Sequence, residues 1–194
     1  MRIQSYLHNA QAILLLYKGD VPLAVWLKAY FKEHKKFGSK DRKHVAHLLY
    51  CYFRLGGAFQ HLPVDEKLGV ALFLCSENSN DLLEAYKPEW NAQATLSAKG
   101  KLDVLEAADQ ALQIFPLNAF LSNEIDKESF NLSFLQQPLV YLRVRPGKAQ
   151  KVKETYLKAE ISFTEITKNC LAISNQTKAD ALIDLNRDAV VQDV

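Results

Sequence analysis

Lys43, His47, Tyr50 and Arg54 stand at i, i+4, i+7 and i+11, a spacing that gathers chemistry on one helix face. At about 100° per residue they share one arc, while Val45, Leu48, Leu49 and Tyr52 form an opposing apolar arc. Permanent cations, an imidazole and an aromatic ring on one arc suit a phosphate backbone. Lys28, Lys32, Lys35, Lys36, Lys40 and Arg42 lie just upstream or within the same stretch and extend the basic surface. The pattern is equally that of an ordinary solvated helix face. A second group sits in "PLVYLRVRPGK", residues 138–148. Strand alternation sends Val140, Leu142 and Val144 one way, and Leu139, Tyr141, Arg143 and Arg145 the other. Lys148 follows the Pro146-Gly147 turn. A ring beside two guanidinium groups is how small sheets hold single-stranded RNA. Burial of this face against another domain, with the arginines paired to its acids, is the competing reading.

No catalytic constellation accompanies these cations. His44 and His47 are three apart on a helix, without the carboxylate or cysteine spacing of a metal site. Dinucleotide, P-loop and nucleophile-elbow motifs are missing, and the seven glycines never cluster into a nucleotide cradle. Cys51, Cys75 and Cys170 form no C-x-x-C pair and lie in apolar contexts, which raise thiol pKa values. They are expected as core residues of a chain kept in a reducing compartment, the cytoplasm. From its own residues the chain is expected to bind neither metal nor cofactor and to lack catalytic activity.

Composition agrees with a soluble globular protein: 48% hydrophobic and 24% charged residues over 194 positions. The longest apolar runs, at 12–16 and 70–75, fall far short of the roughly 20 residues a membrane span needs. The net charge of +2 hides segregation. Residues 28–58 carry eight Lys/Arg against two acids, 59–137 five against twelve, and 138–158 six against one. Two basic islands flank an acidic middle.

The first 115 or so residues show helical periods. Ile3, Tyr6, Leu7, Ala10, Ile13, Leu14 and Tyr17 make one apolar face, ended by Gly19. Pro22 opens a second helix with Leu23, Trp26, Leu27, Tyr30 and Phe31 on its stripe, and Gly38 is expected to stop it. Ser39 is the expected N-cap of the third helix, with Asp41 in its first turn and Gly56-Gly57 at its end. Further helices are predicted over 65–75, 80–86 and 101–115. After Pro138 the period becomes two. Strands are predicted in "LVYLRV", "ISFTEIT", "CLAIS" and "DAVVQ", with a helix around Val152, Tyr156 and Leu157 and a brief one in "KADALIDL". The outline is β-α-β-β-α-β, a small α/β domain of ferredoxin-like or RRM-like kind. Val190-Val191 reads as a strand entering another element, with Asp193 as the helix N-cap that would follow.

"FGSKDRKHVAHLLYCYFR", then "QPLVYLRVRPGK", then "DAVVQDV" together resemble the N-terminal part of the Sun/Fmu family of RNA cytosine-5 methyltransferases. In that family an Asp-Arg or Asp-Lys pair, here Asp41-Arg42, opens a helix ending in Leu/Phe-Arg, here Phe53-Arg54. A second segment carries Pro and Leu-Arg, here Pro138 and Leu142-Arg143. An apolar strand ending in Gln-Asp, here Val190 to Asp193, bridges to the catalytic domain. Two departures stand out. Arg145 replaces the family's usual Asn, and the Asn-Ala-Val-Leu-Arg helix that commonly closes the NusB-like domain has no counterpart.

The resemblance implies a NusB-like helical bundle over 1–115, a connector over 116–136 and a small α/β domain over 137–194, ahead of a catalytic domain outside these residues. S-adenosylmethionine would serve the parent protein, along with cysteines that Cys51, Cys75 and Cys170 do not match. The implied role is RNA recognition and scaffolding, with small-subunit rRNA and the chain's own catalytic domain as partners and no membrane. Its RNA contacts would be Lys40, Arg42, Lys43, His47, Arg54, Tyr141, Arg143, Arg145 and Lys148. The alternative is a NusB-like module whose basic stripe meets acidic proteins.

Overall fold

The structure, a computed structural model, describes residues 3–175 and 177–192. Asp193, the expected N-cap, lies outside the described residues. The chain divides after Gln136 into a helical unit and a smaller unit with a sheet. No helix among the described residues is long and apolar enough to cross a membrane.

Helices α1 (Ile3–Leu16), α2 (Leu23–Glu33) and α3 (Ser39–Arg54) pack on α4 (Val64–Cys75). The apolar run from Val70 to Leu74 leaves α4 buried on every side. A helix hydrophobic all round has to lie inside. Leu68, Leu72 and Phe73 meet Ile13, Leu27, Leu48 and Leu49 in one cluster, where Trp26, Tyr30 and Tyr52 are half-buried. Val70, Ala71 and Leu74 meet Cys51, Leu55, Phe59, Leu102 and Ile114 in another. Each large side chain so buried contributes about 1.5–3 kcal/mol.

Four local expectations are corrected in the helical unit. Helix α2 stops at Glu33, where His34 caps it, rather than at Gly38. Gly38 instead begins α3: its N–H donates to Asp41 Oδ2 at 3.1 Å, leaving Ser39 inside the helix. Residues 101–115 do not form one helix. After α5 (Asp81–Tyr86) and α6 (Pro88–Asn91), α7 (Ala98–Val104) ends with Glu106 left-handed at φ 52° and Ala107 N–H donating to the Leu102 carbonyl. A 3₁₀ turn, Ala108–Gln113, then carries the chain against Gly56 and Gly57. Gly57 N–H donates to Ile114 O, and Gln110 Oε1 accepts from Phe59 N–H. These long-range bonds direct the break, which no glycine or proline in the segment announces.

The fourth concerns 116–136, which is folded rather than a plain connector. It holds α8 (Lys127–Ser133), and Leu132 and Leu135 join the second cluster. Asn131, fully buried, donates to Asn118 Oδ1 and Lys127 O and accepts from Phe115 N–H. A buried amide satisfied on both sides ties the segment to the unit.

The second unit is a four-stranded antiparallel sheet, ordered β2-β3-β1-β4. Its strands are β1 (Val140–Val144), β2 (Phe163–Thr167), β3 (Cys170–Ile173) and β4 (Ala189–Gln192). Helix α9 (Ala149–Lys158) crosses from β1 to β2 and buries Val152 and Tyr156 with Leu142, Val144, Leu171 and Ile173. The short helix expected in "KADALIDL" is only a 3₁₀ turn, Ala179–Ala181. Asp184 ends it by accepting from the N–H groups of Asn186 and Arg187, an Asx turn that diverts the backbone. The Tyr156 hydroxyl is buried without a hydrogen-bond partner among the described residues, and burial pushes its pKa up to about 12.

Two predictions follow from this packing. A Cβ on Gly56 would lie 2.0 Å from the Ile114 carbonyl oxygen, at a φ of 52°. Gly56→Ala should therefore cost the helical unit about 1–3 kcal/mol. Trp26 and Trp90 both belong to that unit, so denaturant unfolding followed by tryptophan fluorescence reads the loss directly. Conversely, Tyr156→Phe removes an unpaired hydroxyl and should leave the sheet unit as stable or up to about 1 kcal/mol more so. Amide exchange across β1 and β3 measures it; faster exchange in the variant would mean that the hydroxyl is bonded after all.

Candidate nucleic-acid interface

Helix α3 owes its exposed arc to the burial of the other one. Val45, Leu48, Leu49, Cys51 and Leu55 are all fully buried, so Lys43 and Tyr50 face solvent. Lys28, Lys32, Lys35, Lys36 and Lys40 are exposed as well. None of these six lysines forms an ion pair among the described residues. Of the two acids within the stretch, Glu33 is exposed and Asp41 is engaged: its Oδ1 accepts from the Tyr6 hydroxyl at 2.8 Å while Oδ2 caps Gly38. Unpaired cations at a surface are already solvated and can exchange water and counterions for phosphate at little structural cost.

Three residues of the stripe are more committed than their spacing suggests. Arg42 is half-buried, its Nε donating to the Phe37 carbonyl at 2.9 Å. His47 is half-buried too, and burial first, then Arg54 and His44, lower its pKa, so it is neutral at pH 7. Its Nε2 lies 3.7 Å from Cys51 Sγ. Arg54, also half-buried, acts on the Cys75 thiol and lowers its pKa. The stripe thus offers Lys40 and Lys43 as its free charges. Phe53 is an exposed aromatic that helical spacing did not single out, set edge-on to Tyr17 at 5.6 Å. Trp26 and Tyr30 stack at 5.0 Å, and His34 stacks on Tyr30 at 3.9 Å.

In the sheet unit, antiparallel register fixes which side chains share the face away from the core. Thr164, Ala172, Tyr141 and Gln192 form one row across β2, β3, β1 and β4. Thr167, Cys170, Arg143 and Val190 form the next. Tyr141 is half-buried; Arg143 and Arg145 are exposed and form no ion pair among the described residues. With Val190 and Gln192 the two arginines line a cleft of about 360 Å³. Neighbouring β3 presents only Cys170 and Ala172, so the face carries a single ring for stacking. Arg145, Pro146, Gly147 and Lys148 make the turn after β1, with Lys148 N–H donating to Arg145 O and Gly147 at φ 75°.

Acidic residues of the middle stretch gather elsewhere in the helical unit. Glu66, Glu106 and Asp109 line a groove of about 620 Å³ with Phe59, Tyr86 and Trp90, and Lys87 Nζ sits 4.0 Å over the Trp90 ring. No cluster of three or more potential metal ligands occurs among the described residues. Compared with protein-family models, curated proteins and solved structures, the chain finds no match.

Asp188 supports the basic turn from below. Its carbonyl accepts from Arg145 N–H, and its carboxylate accepts from Lys151 Nζ at 2.7 Å. The Lys151 hydrogen bond chiefly holds this carboxyl below the ordinary range, with Lys148 adding to the pull and burial opposing it. A depressed folded pKa makes the contribution complete above the unfolded value of about 3.9 and lost as pH falls through the folded one. Acid titration of amide protection in β1 and β4 should show this loss below pH 4. Asp188→Asn should flatten the curve in that window, and a curve identical to wild type would remove Asp188 from the account.

Proposed function

We propose that this chain is the RNA-recognition and scaffolding part of an RNA cytosine-5 methyltransferase of the Sun/Fmu kind. The observation that carries the reading is the set of exposed lysines on α2, on α3 and between them, Lys28, Lys32, Lys35, Lys36, Lys40 and Lys43, none of which forms an ion pair among the described residues. Such charges bind a phosphate backbone by releasing its counterions. The sheet adds a means of engaging a base: Tyr141 as a stacking ring, with Arg143 and Arg145 for the adjoining phosphates. Strand order β2-β3-β1-β4, with α9 crossing from β1 to β2, supports a ferredoxin-like or RRM-like kinship for the second unit. The helical unit is compatible with a NusB-like bundle.

In this reading methyl transfer belongs to a catalytic domain outside these residues, and small-subunit rRNA is the expected RNA. The residues present do not fit S-adenosylmethionine. The β1–α9 turn holds Gly147 alone, where such a cofactor needs a glycine-rich turn for close backbone approach. What this chain's residues do is hold and orient RNA.

Replacing Lys40 and Lys43 by Ala tests the helical surface without touching the core, since both side chains are exposed. RNA affinity should fall, and the slope of log affinity against log salt should flatten by about 1.5 to 2. Arg143→Ala with Arg145→Ala should act in the same direction through the sheet. Unchanged affinity in both double variants, together with salt-sensitive capture of an acidic protein, would favour the interaction-module reading instead.

A further inference from the structure

Cys51 and Cys75, 24 positions apart, meet where α3 packs on α4. Cys51 is fully buried, whereas Cys75, the last residue of α4, keeps partial exposure. Cys75 Sγ donates to the Cys51 carbonyl oxygen at 3.9 Å, which brings the two cysteines together within the second cluster. On its other side Cys51 Sγ lies 3.7 Å from His47 Nε2. Two cations attend Cys75 and lower its pKa: Arg54, half-buried, and Lys101, only 2% exposed. Lys101 Nζ donates to the Ser76 carbonyl at the end of α4. It thereby offsets the partial negative charge that a helix C-terminus would turn on a thiolate.

The pair is therefore polarised. The Cys51 hydrogen bond does most to lower the Cys75 pKa, burial opposes it, and Arg54 and Lys101 add to the lowering. The same hydrogen bond, then burial, raise the Cys51 thiol well above its ordinary value. Partial exposure beside cations marks a reactive thiol, and a buried protonated neighbour marks a partner able to resolve it. Cys75 packs on the second cluster as the sequence reading expects of a core residue, but its thiol pKa is lowered where apolar surroundings alone would raise it.

We propose that Cys75 and Cys51 form a redox-active dithiol that reduces hydroperoxides, with Cys75 as the attacking sulfur and Cys51 as the resolving one. The Cys75 thiolate attacks a peroxide oxygen; an S–O bond forms, the O–O bond breaks, and the leaving alkoxide or hydroxide takes a proton from solvent. Cys51 Sγ then attacks the Cys75 sulfur, passing its proton to the neutral His47 Nε2. The S–O bond breaks, the departing sulfenic oxygen takes that proton from His47 and leaves as water, and a disulfide remains. In balance, two thiols and one hydroperoxide give one disulfide, one alcohol or water, and one further water.

The test uses the full chain, brief exposure to hydrogen peroxide, alkylation after denaturation, and peptide mass spectrometry. Alkylation at Cys51 and Cys75 should be lost together, with a linked peptide that dithiothreitol abolishes, while Cys170 stays alkylated as the internal control. Cys51→Ser should leave Cys75 as a sulfenic acid trapped by dimedone. Cys75→Ser should leave Cys51 unoxidised. The wild-type measurement needs no variant to fold. Absence of the linked peptide, oxidation of Cys170 as fast as Cys75, or oxidation of Cys51 in Cys75→Ser would each overturn the proposal.

Discussion

The helical unit depends on one constraint: α4 is apolar all round and has to be enclosed. Its residues from Leu68 to Leu74 face two hydrophobic clusters at once, so helices must cover it from both sides. Helix α3 serves both clusters, giving Val45, Leu48 and Leu49 to one and Cys51 and Leu55 to the other. That double obligation spreads the buried residues over a little under half of the α3 circumference, at about 100° per residue. Lys40 and Lys43 are left at the surface because apolar partners leave no other place for them. Gly69 on α4 contributes in the opposite sense, since a Cβ there would lie 2.1 Å from the Tyr86 ring. Its missing side chain lets α5 close over the helix.

Enclosure of α4 also brings polar groups into an apolar interior, and the structure meets each differently. Lys101 is held by the Ser76 carbonyl and lies over the Phe73 ring. Lys67, 4% exposed, has the Tyr52 ring 5.0 Å from its ammonium, and burial lowers its pKa. Neither has a carboxylate partner among the described residues. A lysine near an aromatic face regains part of the solvation it loses on burial.

In the sheet unit a single core face does the folding, and α9 covers it. The opposite face carries Tyr141 and Arg143 because β1 keeps its register with β3 and β4, whereas β2 shifts against β3 between Glu165 and Thr167. Tyr141 and Arg143 occupy successive rows on β1, a central strand, flanked by Ala172 and Cys170 on β3 and by Gln192 and Val190 on β4. Asp188 and Lys151 brace the turn that carries Arg145 and Lys148. The braced backbone presents those cations from a defined position.

Periodicity by itself determined the helices through Cys75, the alternation of β1 and the two populations of side chains on α3. Those follow from local spacing, because a 3.6-residue or two-residue period sorts side chains before any tertiary contact forms. Gly38 and Ser39 were misassigned by one role, since capping depends on which side chain turns back to the amide, here Asp41. The break at Glu106 and the folding of 116–136 were not legible: Gly57, Phe59 and Asn131 impose them through bonds spanning 16 to 57 positions. His47 and Cys51 had a readable i, i+4 spacing, yet its meaning depended on Cys75 arriving from α4. Charge state was decided last. Only packing separates the solvated Lys43 from Arg42, Arg54 and a neutral His47, because burial and neighbours, not residue type, determine whether a basic side chain is free to meet a phosphate.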